Sequence, residues 1–190
     1  GITEFLSKKA GREGNEVMLI YNKRLSVCPL TTHISLREVS DKIIKSKIVE
    51  KTKTINNFYK KIFNKNPSFA VLGLNPHNFS TAKKFEEKKI IAPAVKTIKK
   101  AGIKVIGPLP TDTSFLLFKK YKFDVMIGMY HDQVLTTFKT LFEYDAINIT
   151  LGLPYIRISP DHGVAENIMG KNIASPKSLI ASIKFFNKIK

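Results

Sequence analysis

Apolar positions along the chain follow two alternating periodicities. Short apolar runs bounded by turn residues predict strands at Glu16 to Tyr21, Leu25 to Thr31, Ser68 to Leu74, Lys104 to Leu109, Phe123 to Met129, Ala146 to Leu151 and Tyr155 to Ser159. Helical spacing fills most of the intervals. Ser35 and Glu38 have capping-box spacing and open a helix predicted to run to about Lys47. From Ile55 the apolar residues recur at Phe58, Tyr59, Ile62 and Phe63, a stripe that faces a core rather than a ligand. Ile90, Ile91, Ala94, Val95 and Ile98 predict a helix over Glu86 to Ala101 with Gly102 as its stop; Pro93 kinks that helix unless it starts later. Ser114 to Tyr121 reads as helix, and Ser175 with Pro176 starts a final one carrying Leu179, Ile180, Ile183 and Phe186.

Strands alternating with helices predict a single α/β domain over residues 1–190, with a mostly parallel sheet flanked by helices. In such sheets ligands gather beyond the carboxyl ends of strands. Three of the chain's four histidines fall there: His33, His77 and His131 each follow a predicted strand.

Composition narrows the class. The 190 residues and 43% hydrophobic content suffice for a full core. No run is long and apolar enough to span a bilayer, and no charged-then-apolar leader opens the chain, so the expected compartment is cytoplasmic. The opening at Gly1, without methionine, predicts an incomplete beginning. The lone Cys28 excludes an intramolecular disulfide and sits in an apolar run, as a buried thiol would. A net charge of +17 raises nucleic acid as a partner. The lysines are dispersed over the whole length, however, without clustered aromatics or a recognisable motif, and fit solvated helix faces.

Three neutral imidazoles can bind a divalent metal and leave positions open for substrate; equally, each can cap a turn. Lys139, Asn148 and Arg157 can hold a phosphate or carboxylate, or serve separately as surface groups. Asp132 suits a general base or a partner that orients a histidine. Asp112 suits a helix cap, and His162 a turn cap.

Several segments together resemble the 4-hydroxythreonine-4-phosphate dehydrogenase family. They are Gly1 to Leu6, Thr31-Thr32-His33, Gly73-Leu74-Asn75-Pro76-His77, Gly107 to Thr113, Met129 to Gln133, Asn148 to Pro154, Arg157, and Asp161-His162-Gly163. The resemblance implies an isocitrate-dehydrogenase-like two-domain fold, of which this chain corresponds mainly to the second domain; the final helix is a candidate member of the first. It implies a homodimer with a cleft to which both subunits contribute. It assigns His33, His77 and His131 to a divalent metal (zinc, magnesium or cobalt) and Thr3, Lys139, Asn148 and Arg157 to substrate. His131, Asp132 and Lys139 become the catalytic candidates. The implied reaction is NAD-dependent oxidation of 4-phosphooxy-L-threonine, followed by decarboxylation to 3-amino-2-oxopropyl phosphate, in pyridoxine biosynthesis.

Departures from the family pattern cluster near the expected site. Ile2 stands where the family has histidine, the stretch Asn78 to Lys84 lacks the family's glycines, and Val164 replaces threonine. Two other readings therefore stand beside the first: a truncated non-catalytic homologue that keeps dimerisation and metal or anion binding, and a dehydrogenase of another phosphorylated hydroxy acid.

Overall fold

The structure is a computed structural model that describes residues 2–78, 85–163 and 165–189. The substitutions expected at Phe79 to Lys84 and at Val164 lie outside the described residues. Seven strands form one sheet: β1 (Val17–Tyr21), β2 (Ser26–Pro29), β3 (Phe69–Leu72), β4 (Val105–Leu109), β5 (Val125–Gly128), β6 (Ile147–Leu151) and β7 (Arg157–Pro160), in the spatial order β4-β3-β5-β2-β1-β6-β7. β4, β3, β5 and β2 pair in parallel, and β1 and β7 run against their neighbours, so five strands share one direction in a mixed sheet.

Side chains alternate across the strands and load both faces. Phe69, Val71, Val125, Ile127 and Cys28 point into a cluster with α3 (Lys45–Phe63), α4 (Ala92–Lys100) and α7 (Lys177–Lys188). Ala70, Leu72, Met126 and Val27 point to the other side, against α5 (Thr111–Tyr121) and α6 (His131–Phe142). A sheet buried on both faces explains why its central strands read as continuous apolar runs rather than alternating ones. The aromatic stripe Phe58, Tyr59 and Phe63 packs with Tyr21 and Phe185, as a core stripe should. α7 lies on this same sheet: Ser178 Oγ donates to Ala146 O at the start of β6 and accepts from Asp161 N just after β7.

Four elements depart from the predicted pattern, and one is α6, over which no helix was predicted. The segment Ile2–Lys9, which had suggested no element, forms α1. The helix opened by Ser35 stops early: α2 spans Leu36–Lys42, Ile43 and Ile44 are extended, and α3 begins at Lys45. Ile43 is buried at the break, so tertiary burial outweighs helix continuation. Pro93 is accommodated because Glu87–Ile91 forms a wider π-helical turn and α4 restarts at Ala92, which places proline in its first turn. Much of the basic charge also finds a local role. α3, α4 and α5 each end on a lysine pair, favourable beside the exposed carbonyls of a helix C-terminus. Among the described residues no helix is long and apolar enough to cross a membrane.

One buried amide ties the strand ends together. Gln133 Oε1 accepts from Met129 N at 2.6 Å, after β5. Its Nε2 donates to Gly73 O at 2.7 Å, after β3, and to Thr111 Oγ1 at 3.0 Å, at the start of α5. Gly128 permits the close approach, since a Cβ there would stand 2.4 Å from Val134 Cγ1 and 2.9 Å from Gln133 Oε1.

Two predictions follow from this packing. Gln133→Leu keeps the volume but orphans Met129 N and weakens the pairing of Gly73 O; urea denaturation should show a loss of roughly 2 kcal/mol, from about 1–3 kcal/mol per unpaired buried group. A loss below about 0.5 kcal/mol would mean that the loops hold themselves. Burial pushes the Cys28 thiol up to about 11, against a smaller opposing effect of Lys51. A raised acid stabilises the fold fully below its unfolded value near 9 and loses that contribution as pH rises towards 11. Native protein at pH 8 should therefore resist a thiol reagent that labels the urea-unfolded chain stoichiometrically, and Cys28→Ala should flatten the decline in stability over that alkaline range.

Candidate functional site

The expected site residues fall into four local groups. The first is at the carboxyl ends of the adjacent parallel strands β2 and β5. His33 follows β2, and His131 is the first residue of α6, directly after β5. Their ring centroids lie 6.0 Å apart. Thr31 helps fix this corner by donating from Oγ1 to Met129 O at 2.8 Å. Asp132 Oδ1 is 2.7 Å from His131 Nδ1, an arrangement that orients the ring and leaves Nε2 as its free face. Asp132 also sits in the first turn of α6, where a negative charge is favoured. A shallow cleft of about 160 Å³ opens here between Thr32, His33, Leu36, Tyr130, His131 and Asp132.

The second group holds His77 away from that pair. His77 and Asn78 occupy the left-handed region, with φ of 54° and 55°. His77 Nδ1 lies 3.3 Å from Asp112 Oδ2 on α5, and both side chains are largely exposed. The loop beneath them is pinned by the buried Glu87, whose Oε1 accepts from Leu74 N at 2.8 Å and Asn75 N at 2.7 Å. Glu86 accepts from Ser40 and Asn75; burial opposes its ionisation, but these hydrogen bonds and one within its own backbone outweigh it and hold the carboxyl below its ordinary value.

The third and fourth groups share one face of β6 and β7. Thr150 pairs in register with Arg157 and Asn148 with Ser159, so Thr150, Asn148, Arg157 and, two residues beyond Ser159, Asp161 belong to that face. Arg157 Nη1 donates to Thr150 Oγ1 at 3.2 Å and to Thr3 Oγ1 at 3.4 Å, which brings α1 to the sheet. Lys139 reaches over from α6, donating to Asp161 O at 3.1 Å with its Nζ 3.4 Å from Asp161 Oδ1. Asn148 Oδ1 and Asp161 Oδ2 are buried with no hydrogen-bond partner among the described residues. Burial raises the Asp161 carboxyl above its ordinary value, opposed by Lys139 and more weakly by His131 and His162. His162 itself makes a local turn contact, Nδ1 to Gly163 O at 3.1 Å.

A divalent cation fits the donor chemistry of His33 and His131, two imidazoles that line one cleft. Among the described residues of a single chain, however, no group of three histidine, cysteine, aspartate or glutamate side chains is close enough to hold a metal ion, because His77 is turned towards Asp112. Three residues to which the sequence assigns no role matter for this geometry: Glu87, which lies in no motif, and Gln133 and Asp161, which stand inside motifs. Gln133 was visible in the strand-end motif but carried no sign of its bonds to Gly73 and Thr111, which are distant in sequence.

Comparison with known proteins agrees with this architecture. The family model described as pyridoxal phosphate biosynthetic protein PdxA matches residues 1–186. A 4-hydroxythreonine-4-phosphate dehydrogenase of Sulfurihydrogenibium sp. (strain YO3AOP1) is 44% identical over 186 residues, covering 97% of this chain and 57% of the relative. One from Bradyrhizobium diazoefficiens is 42% identical over 194 residues, covering 100% of this chain and 56% of the relative. The crystal structure of 4-hydroxythreonine-4-phosphate dehydrogenase from Klebsiella pneumoniae superposes with a TM-score of 0.82 at 35% identity, over 99% of this chain and 58% of that one. The chain thus spans a little over half the length of the relatives it matches. With its strand-end motifs, its mixed seven-stranded sheet and a match over nearly every residue, the chain belongs to the PdxA family of pyridoxal phosphate biosynthetic proteins.

Proposed function

We propose that this chain is the metal- and substrate-binding part of an NAD-dependent 4-hydroxythreonine-4-phosphate dehydrogenase, working in the cytoplasm as a homodimer with no nucleic acid or membrane partner. The observation that carries the reading is the polar face of β6 and β7. Arg157, braced by Thr3 and Thr150, lies on one strip with Asn148 and with Lys139, the last held at Asp161. A strip with two cations and an amide suits a phosphoryl group: the guanidinium offers a planar fork, the ammonium a point charge, and Asn148 Nδ2 a neutral donor.

His33, His77 and His131 are the proposed metal ligands. In one chain the first and third face the same cleft, so the set is completed either by movement of the His77 loop or by the second subunit. When bound, NAD accepts the hydride and a divalent metal stabilises the charge that develops on the substrate oxygen. The chain's own residues bind and orient. Arg157, Thr3, Asn148 and Lys139 fix the phosphoryl end, which limits how the secondary hydroxyl can approach the imidazole cleft. Asp132, beside His131, is the group proposed to take up the proton released from that hydroxyl, while His131 serves the metal and the Lys139 ammonium the phosphoryl end. Oxidation leaves a β-keto acid, 2-amino-3-oxo-4-phosphooxybutanoate. The bond between its carboxylate and the α-carbon breaks to release carbon dioxide, and the electron pair left on that carbon takes up a proton from solvent to give 3-amino-2-oxopropyl phosphate.

A non-catalytic relative that only binds metal and anion is the second reading, and Ile2 favours it. Its side chain cannot hydrogen-bond a substrate, and it stands exposed beside Thr3. One assay separates the two. Incubated with 4-phosphooxy-L-threonine, NAD and a divalent metal, the full-length protein should form NADH, and a chelator should abolish the signal. Arg157→Ala should lower kcat/KM by about a hundredfold, as expected for a charged contact of about 1.5–3 kcal/mol. Absence of NADH, together with retained binding of the phosphorylated substrate, would support the non-catalytic reading instead.

A further inference from the structure

We propose that Asp161 is a positioning residue: its carboxylate and its backbone carbonyl together hold the Lys139 ammonium against the anion-binding strip, and α7 fixes Asp161 in place to do so. The inference rests on the reading of Lys139 as a ligand of the phosphoryl group. Four observations carry it. Asp161 is only 7% exposed, and it meets Lys139 twice, Nζ to O at 3.1 Å and Nζ to Oδ1 at 3.4 Å. A lysine carries four rotatable bonds, so two contacts from one residue remove much of the freedom that ligand binding would otherwise have to remove. Its backbone is anchored from α7: Asp161 N donates to the fully buried Ser178 Oγ at 2.8 Å, and that hydroxyl donates onward to Ala146 O at 2.5 Å. Its second oxygen, Oδ2, is buried with no hydrogen-bond partner among the described residues, an arrangement that costs stability and that packing alone gives no reason to keep. Finally, Asp161 directly follows β7, the strand that carries Arg157, so the residue that orders Lys139 stands at the end of the strip Lys139 serves.

The C-terminal helix therefore acts on the site without touching it, through Ser178, Asp161 and Lys139 in turn. A double-mutant cycle on phosphate binding tests this. Binding of inorganic phosphate to the chain is measured by calorimetry for the parent, Asp161→Asn, Lys139→Ala and the double variant, with the thermal midpoint recorded for each. Asp161→Asn should weaken phosphate binding by about tenfold, equivalent to about 1.4 kcal/mol. In the Lys139→Ala background the same substitution should change it by less than about twofold, because its effect passes through the ammonium. Equal losses in both backgrounds, or no loss in the first, would overturn the proposal. Should Asp161→Asn fail to fold, Ser178→Ala carries the same cycle, with a smaller loss that again disappears without Lys139 and the same contrary outcomes. Failure of the underlying reading looks different: Lys139→Ala alone would then leave phosphate binding unchanged.

Discussion

The corner of the site at the ends of β3 and β5 turns on one buried amide, backed by Glu87 beneath the His77 loop. Gln133 accepts from the backbone after β5 and donates to the backbone after β3 and to the first turn of α5. Those three segments carry His131, the His77 loop and Asp112. Parallel strands bring their carboxyl ends to one edge of the sheet, but the loops that follow need their own restraint, because their polar backbone groups are partly buried there. One side chain with a donor and an acceptor at fixed separation supplies it. Glycine at position 128 lets α6 begin close enough for the amide to reach.

Beyond this corner, the sheet separates two chemistries. On β2 and β5 the chain exposes imidazoles, with Asp132 orienting one of them. On β6 and β7 it lines up Arg157, Asn148 and Asp161, with Lys139 added from α6. Both are short polar patches on a sheet otherwise buried on both faces, and neither is complete alone. Among the described residues of one chain the imidazole pair has no third ligand close enough to share a metal ion.

The strands and most helices were legible because burial on both faces leaves long apolar runs, and because turn residues punctuate them. The break at Ile43 and Ile44 was not, since two β-branched residues inside a capped helix carry no stop signal; Ile43 leaves the helix to enter the core. α1 was hidden for a related reason. Its eight residues expose Ile2 and Phe5, so no clean stripe marks it. For the site, strand-end position singled out His33, His77 and His131, and residue type singled out Lys139, Asn148 and Arg157. Which groups meet was not legible. His77 turns to Asp112 and Lys139 to Asp161 because of register and loop conformation, neither of which is written in local sequence.

The central claim is that the loops after β2 and β5 present two imidazoles to one metal ion. Cobalt(II) titration of the purified protein, followed in the visible region, tests it most directly. The account predicts a protein-dependent d–d band that saturates at one cobalt per chain and is lost in both His33→Ala and His131→Ala, with each variant still folded. A spectrum indistinguishable from aqueous cobalt, or a band that survives in both variants, would contradict it.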